Sequence, residues 1–531
     1  DDAFRDSKIK ELYFTDCELK EIDSASLRGL ESSLELLDIS GNNITELQQN
    51  IFQEFDFLRT LIFKDNKIAT FSPVEVFTGF QYSLYNLDLS GRQNAAISLQ
   101  DLRQMRNLRC LALSKLSHDS LSADDFIEFG IDVKELRITR SNLNSIKSHA
   151  FTHVRGIKYL DFSENSISSM DDEAFSEVGH SLLTLKLAHA LSSSLSELPS
   201  KPFKSLTNLQ YLDLSNNKIR SMSDTCFHFL KRIKRIELQD NEITEIRKGT
   251  FQGDIHSTLE EVDFAFNHIT NLQTHTFVDL SVMTFLNLQD NNIDKIERRA
   301  FMNMNRLKYI NLRGNKIISV VDEAFQNLPD LEFLDLAYNK MNEFDFAWFD
   351  QVGTLASFKV NASHNSISKL EINTSMEYAL THLYLSHNKI VNMSQAVFGN
   401  LPHLQWLDLR HNELSDIDFD CFRNTKNIQV LLLSHNNIAE IPVETLRSLK
   451  KLRILDLSYN RLRTLPDNLF TDATIESLDL SNNQFMRLPT KAITGTAAAS
   501  ISILDLSWNF LSSINVADSI NKFRKKNFPK N

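Results

Sequence analysis

The chain has 531 residues, 24% of them charged, a formal net charge of −12, only 13 glycines and four cysteines. That acidic balance argues against a protein built to neutralise nucleic-acid phosphates. So few glycines leave little for phosphate-cradling loops, four cysteines do not make a disulfide framework, and no apolar run reaches the roughly 18 residues of a membrane-spanning helix.

The chain opens on "DDAFRDSKIKEL", without Met, and reads as a trimmed or mature fragment. From Ile9 to Ile514 one pattern then recurs: "LRILDLSYNRLRTLPDNLF" at 452–470 rewrites "LQWLDLRHNELSDIDFDCF" at 404–422 and "LKYINLRGNKIISVVDEAF" at 307–325. Numbering each unit from its first leucine, the ninth place holds Asn42, Asn66, Asn165, Asn217, Asn241, Asn267, Asn291, Asn315, Asn339, Asn365, Asn388, Asn412, Asn436, Asn460, Asn483 and Asn509. Cys17, Arg92, Leu116, Ser141 and Ala190 complete the column, giving twenty-one units about 24 to 25 residues apart.

Within a unit the apolar pair Leu455 and Leu457 alternates with Asp456 and Ser458, the period of a strand with one face inward. Stacking such units predicts an α/β-type solenoid with a parallel concave β-sheet. The ninth-place carboxamide offers two donors and an acceptor, which suits it to pair backbone groups of neighbouring coils as a structural ladder. Ten residues further on, Phe52, Phe126, Phe151, Phe175, Phe227, Phe251, Phe277, Phe301, Phe325, Phe349, Phe398, Phe422 and Phe470 predict an aromatic spine filling an irregular convex side. The array over 1–514 is read as one domain, a fragment of a longer array, and the basic stretch 515–531 as a tail or terminal cap.

Four of five consecutive units, at Arg92, Leu116, Ser141 and Ala190, lack the ladder amide, so the coil between about Leu84 and Phe203 is expected to be irregular, with projecting loops. Cys226 and Cys421 share one place and read as buried thiols, whereas Cys110 falls at an outward strand place and is the thiol to watch. Asn43, Asn361, Asn373 and Asn392 begin glycosylation sequons, and Asn361 should point out of the concave strand.

The fifth place carries ten aspartates, Asp38 to Asp505, which recur with the repeat and lack a distinguished partner, so a structural or solubility role is expected of them and not acid–base chemistry. No nucleophile elbow, zinc-protease motif, Walker loop or dinucleotide fingerprint occurs; the chain reads as a non-enzyme without cofactor or metal. Binding remains. The candidate contact residues on the concave face are Tyr309, Phe333, Tyr384, His387, Trp406, His411, His435, Tyr459 and Trp508, with Tyr159, Tyr211 and Phe285 at like places.

His364, His387, His411 and His435 precede the ladder asparagine in four successive units, and stacked strands would set them about 5 Å apart. Three readings stand open: a place that tolerates polar residues, an ion shared by adjacent imidazoles, or a contact weakened when the group charges on acidification.

The pattern L-x-x-L-x-L-x-x-N-x-L with its Phe spine and 24-residue units resembles the extracellular class of leucine-rich repeat proteins. Within that class, unbroken runs such as "LDLSYNRLRTLPDNLF" resemble the chaoptin-like adhesion family of insect photoreceptors. The resemblance implies a horseshoe, a secreted or cell-surface glycoprotein, a lipid anchor outside this chain, and homophilic cell–cell adhesion, the partner being another copy and not nucleic acid. The rival it leaves is a Toll-like ectodomain that recognises a soluble ligand.

Overall fold

The computed structural model of the chain describes residues 4–69, 72–77, 82–129, 132–494 and 496–512; the stretch 515–531, read as a tail or cap, lies outside the described residues. Two compact units are present, Asp1–His268 and Ile269–Asn531. Each repeats one step: a strand of three to five residues pairs in parallel with the strand of the next coil.

In the first unit eleven such strands run from Glu11–Tyr13 to Glu261–Asp263, their fourth-place residues in register from Leu12 and Leu37 through Leu111 and Leu136 to Ile236 and Val262. In the second, ten run from Phe285–Asn287 to Ile503–Asp505, with Leu286, Ile310, Leu334 and Val360 in one row continued by Leu407, Leu431, Leu455 and Leu478. Apart from Leu12 in the first coil, which is half-buried, these row residues are buried because the strand's two-residue period aims places four and six at the interior. Burying each contributes about 1.5–3 kcal/mol.

Leaving the strand is harder than forming it, because the chain must turn into the interior without stranding polar backbone groups. The fifth-place aspartate solves the first half. All ten accept the N–H of the residue two places on, as Asp456 Oδ1 does from Ser458 at 3.0 Å and Asp335 from Ala337 at 2.9 Å. The next residue then takes a left-handed conformation: φ is positive at the eighth place of every unit, +52° at Asp16 and +54° at Trp508. Glycine fits this place at Gly41 and Gly314, where any Cβ would run into Asp16 and Asp290, the eighth-place side chains of the preceding coils.

The ninth-place amide solves the second half. Asn436 Oδ1 accepts from Leu414 N of the preceding coil at 3.0 Å, while its Nδ2 donates to Leu409 O of that coil and to Leu433 O of its own, both at 3.0 Å. The same bonds recur from Asn42 to Asn509, so one buried side chain ties two coils.

On the opposite side the phenylalanines stack. In the first unit Phe126, Phe151 and Phe175 follow one another at 5.8 Å between ring centroids. In the second, Phe277, Phe301, Phe325 and Phe349 are spaced 5.5, 5.1 and 5.8 Å, and their backbones form a four-stranded parallel ribbon from Phe277–Val278 to Phe349–Val352. The convex side is therefore more regular here than the sequence indicates.

The stretch from Leu84 to Phe203 corrects a sequence expectation. Among the described residues its strands Asn86–Leu89, Cys110–Ser114, Glu135–Thr139, Tyr159–Asp161 and Thr184–Lys186 pair without a break, and three of them are longer than the usual three residues. Two substitutes replace the missing amide. Asn94, two residues past Arg92, enters the interior and donates to Leu89 O at 3.2 Å and Phe63 O at 3.4 Å while accepting from Ile68 N at 3.3 Å. At Leu116 and Ala190 the backbone bridges coils directly, with Ile97 N donating to Lys115 O at 3.0 Å and Ile167 N to Ala190 O at 2.8 Å. The extra residues near Ser192 are absorbed in a turn closed by Leu195 N to Ser192 O at 2.9 Å.

Asn94→Ala should therefore lower the unfolding free energy by about 2–3 kcal/mol, since it leaves buried carbonyls and an N–H unpaired. Arg92→Ala, at the place the repeat assigns to the amide, should change it by less than about 0.5 kcal/mol. Urea titrations followed by far-UV circular dichroism check the pair.

Candidate protein-contact surface

The outward face of the sheet is written by places three, five, seven and eight, and in the second unit three groups of rings occupy it. At place three Phe285, Tyr309 and Phe333 stack at 5.3 and 5.5 Å with planes within 13°. Parallel strands in register bring equal places together, which is why residues 24 apart touch.

Further along, Trp406 lies 6.2 Å from both His382 and Tyr384. Its indole N–H is buried without a partner, an arrangement a protein pays for only in part through the ring packing around it. Burial lowers the His382 imidazole from its ordinary value, helped by the Lys359 charge, and raises the Tyr384 phenol, helped by Asp408. Tyr384 and Leu432 stand at fifth places where most coils of this unit put Asp or Asn, so they give up the turn-capping oxygen for an apolar surface. Val430 and Ile454 extend that surface at the third place.

The third group is a continuous ladder at the eighth place. Tyr338, His364, His387, His411, His435 and Tyr459 stack face to face at 4.1, 4.1, 4.2, 4.1 and 4.0 Å, with planes within 9–14°. The left-handed φ of +52° to +57° at these residues turns each ring along the stacking direction. Each also stays in the sheet ladder, as His411 N donates to Ser434 O at 3.0 Å and His435 N to Ser458 O at 3.1 Å. The Arg313 guanidinium caps the first ring, 4.2 Å from the Tyr338 centroid. Burial and the adjoining His387 hold His364 below the usual imidazole range, with Arg313 adding to both; burial, His435 and His387 do the same for His411, where Asp408 opposes the effect. Trp508 stands apart from all three groups, 82% exposed.

Sequence reading missed Tyr338 and Arg313, which complete the ladder. The signal was present: Tyr338 and Tyr459 bracket the four histidines at one place of the repeat. Metal chelation by this row is disfavoured by its geometry, since parallel rings aim adjacent nitrogens side by side and not at a common point; among the described residues no group of three or more His, Cys, Asp or Glu could hold an ion.

The first unit presents a different face. Arg109 lies over Tyr85 at 4.7 Å, Arg137 over Tyr159 at 5.0 Å, and Arg235 pairs with Glu237 and, at 2.9 Å, with Glu261. Desolvation raises the buried Glu237 carboxyl, with Arg235 opposing. This is a self-neutralised surface of mixed charge. Cys110 lies within it, half-buried, its thiol raised by burial and by Glu135, so it is not the accessible thiol; Cys17 is exposed, and Cys226 and Cys421 are buried.

Of the sequon asparagines, Asn373 and Asn392 are exposed and Asn43 is half-buried beside Asn42. Asn361 ends the strand Phe358–Asn361 between Asp335 and Tyr384, half-buried, its Oδ1 accepting from Ser363 N at 3.1 Å. It is thus the sequon on the outward sheet face, next to the Trp406 cluster. No helix among the described residues is long and apolar enough to cross a membrane.

The family profile described as "Leucine rich repeat" matches residues 231–293, 257–317, 283–341, 378–438 and 426–485, and that of the "BspA type Leucine rich repeat region (6 copies)" matches 1–90 and 129–258. The chain is similar to chaoptin of Drosophila melanogaster, 47% identical over 99% of this chain and 43% of that protein, and to chaoptin of Tribolium castaneum, 49% identical over 66% and 50%. It spans about half the length of these curated relatives. Among solved structures, the fold is similar to TLR13 in its complex with ssRNA13, with a TM-score of 0.61 at 22% identity over 95% of this chain and 78% of that one. It is also similar to the Drosophila Toll–Spatzle complex, with a TM-score of 0.59 at 19% identity over the same shares.

Thiol reactivity gives a direct check of the placement of the cysteines. Burial pushes the Cys226 thiol up to about 12 and Cys421 higher still. Alkylation at about pH 8 should then modify Cys17 first and Cys110 more slowly, leaving Cys226 and Cys421 until the chain is unfolded; peptide mass mapping against time reads the order.

Proposed function

The chain belongs to the leucine-rich repeat family, and on that footing we propose that it is part of a cell-surface adhesion ectodomain that binds a second copy of itself. The observation that carries this reading is the outward face of the second unit. Its large apolar side chains sit at places the fold does not need them: Tyr384 and Leu432 replace turn-capping residues, and Tyr338 and Tyr459 accept a left-handed backbone that bulky residues avoid. Large, partly buried rings around an unpaired indole N–H are the composition of a contact hot spot. The similarity to chaoptin supports adhesion as the use of that surface. The similarity to Toll-type structures supports the fold and leaves a soluble-ligand receptor without an observation of its own.

Beads coated with this protein alone should aggregate, and Tyr384→Ala with Trp406→Ala should weaken self-association by roughly 30-fold or more, as loss of two central rings does at a contact hot spot. Clumping only after a second protein is added would overturn the reading. If Asn361 carries a glycan in secreted protein, its removal by Asn361→Gln should strengthen aggregation; mass spectrometry of that peptide reports occupancy.

A further inference from the structure

The ladder from Tyr338 to Tyr459 puts four imidazoles in van der Waals stacking, a place where one proton changes both a charge and a contact. We infer that these four histidines form a proton-sensitive strip on the adhesive face: neutral and stacked near pH 7, they charge on acidification, the stack parts, and the contact resting on it is released.

The geometry carries the argument. Neighbouring rings lie 4.1–4.2 Å apart, so a proton on one places its charge against the next, and each adjacent charge makes the second protonation roughly fivefold less favourable even at the dielectric of water. Charge on one ring therefore disfavours charge on the next, which couples the row. The charged groups facing the ladder reinforce this at one end. Arg313 sits on Tyr338, beside His364, and lowers it; at His411 the Arg410 charge adds to the lowering while Asp408, engaged with Arg410, opposes it. No carboxylate forms an ion pair with His364, His387, His411 or His435 among the described residues, in contrast to His149, which meets Glu177 at 2.7 Å.

The sign follows from where the proton is preferred. In the unfolded chain a histidine titrates near 6.5; in the ladder His364 and His411 are held lower, so the unfolded state binds more protons as pH falls. The stability this contributes is fully present above about pH 6.5 and is lost as pH falls through the lowered values. The ladder is thus a brace at neutral pH and a liability in acid.

The release of the contact rests on the reading of this face as homophilic, whereas the coupled titration does not, and the test separates them. Tyrosine already occupies this place at both ends of the ladder, so His387→Tyr with His411→Tyr keeps six rings and removes the two central protonation sites. Imidazole NMR titration of the wild type should place the midpoints of His364 and His411 below 6.5. Sedimentation should show self-association weakened at least tenfold from pH 7.4 to 5.5 in the wild type and less than threefold in the double tyrosine variant. Midpoints of His364 and His411 at 6.5, or the same loss of association in both proteins, would overturn the inference. A chain that is monomeric at pH 7.4 while its histidines titrate in the coupled manner would instead overturn the homophilic reading, leaving the ladder as a proton-sensitive element.

Discussion

Everything in this molecule depends on one turn. Each coil must carry its backbone from the outward sheet into a dry interior, and it does so through a left-handed residue in every unit, joined in most by a side-chain oxygen on the N–H two residues ahead and by a buried asparagine that bonds two coils at once. Remove the amide and two carbonyls and an N–H lose partners together, so the column is kept by the cost of unpaired polar groups and not by the packing of the leucines around it. Where the column lapses, the same groups must be satisfied some other way. Asn94 and the direct backbone bridges at Ile97 and Ile167 do this.

That division explains what could be read from sequence. Strand places, inward leucines, the phenylalanine stack and the row of histidines follow from a fixed period, and a period is visible in a one-dimensional string. Compensation is not periodic. Nothing in "SGRQNAAISLQ" announces that Asn94 will turn inward in place of Arg92, because its partners Phe63 and Leu89 belong to different coils. Cys110 stands at the outward place its period gives it, but that the neighbouring strands half-cover it is not written in its own coil. The ladder was half legible. Its histidines stood in register, but that Tyr338 and Arg313 finish it, and that the rings lie flat on one another, depends on the positive φ at that place.

The two units use one architecture to present opposite chemistries. In the first, arginines and carboxylates at outward places answer each other and the tyrosines between them are covered by cations. In the second, the same places carry rings whose polar edges are left for something else to meet. A repeat protein can do this because the interior places fix the fold and the outward places are nearly free of it.

The spacing of the rings has a mechanical meaning. The rings of the ladder from Tyr338 to Tyr459 step by 4.0–4.2 Å, less than the roughly 4.8 Å between strands. Aromatic carbons meet at about 3.5 Å, so this row has only a few tenths of an ångström left per coil before the rings jam. It is a stop against further closing of the edge on which it stands.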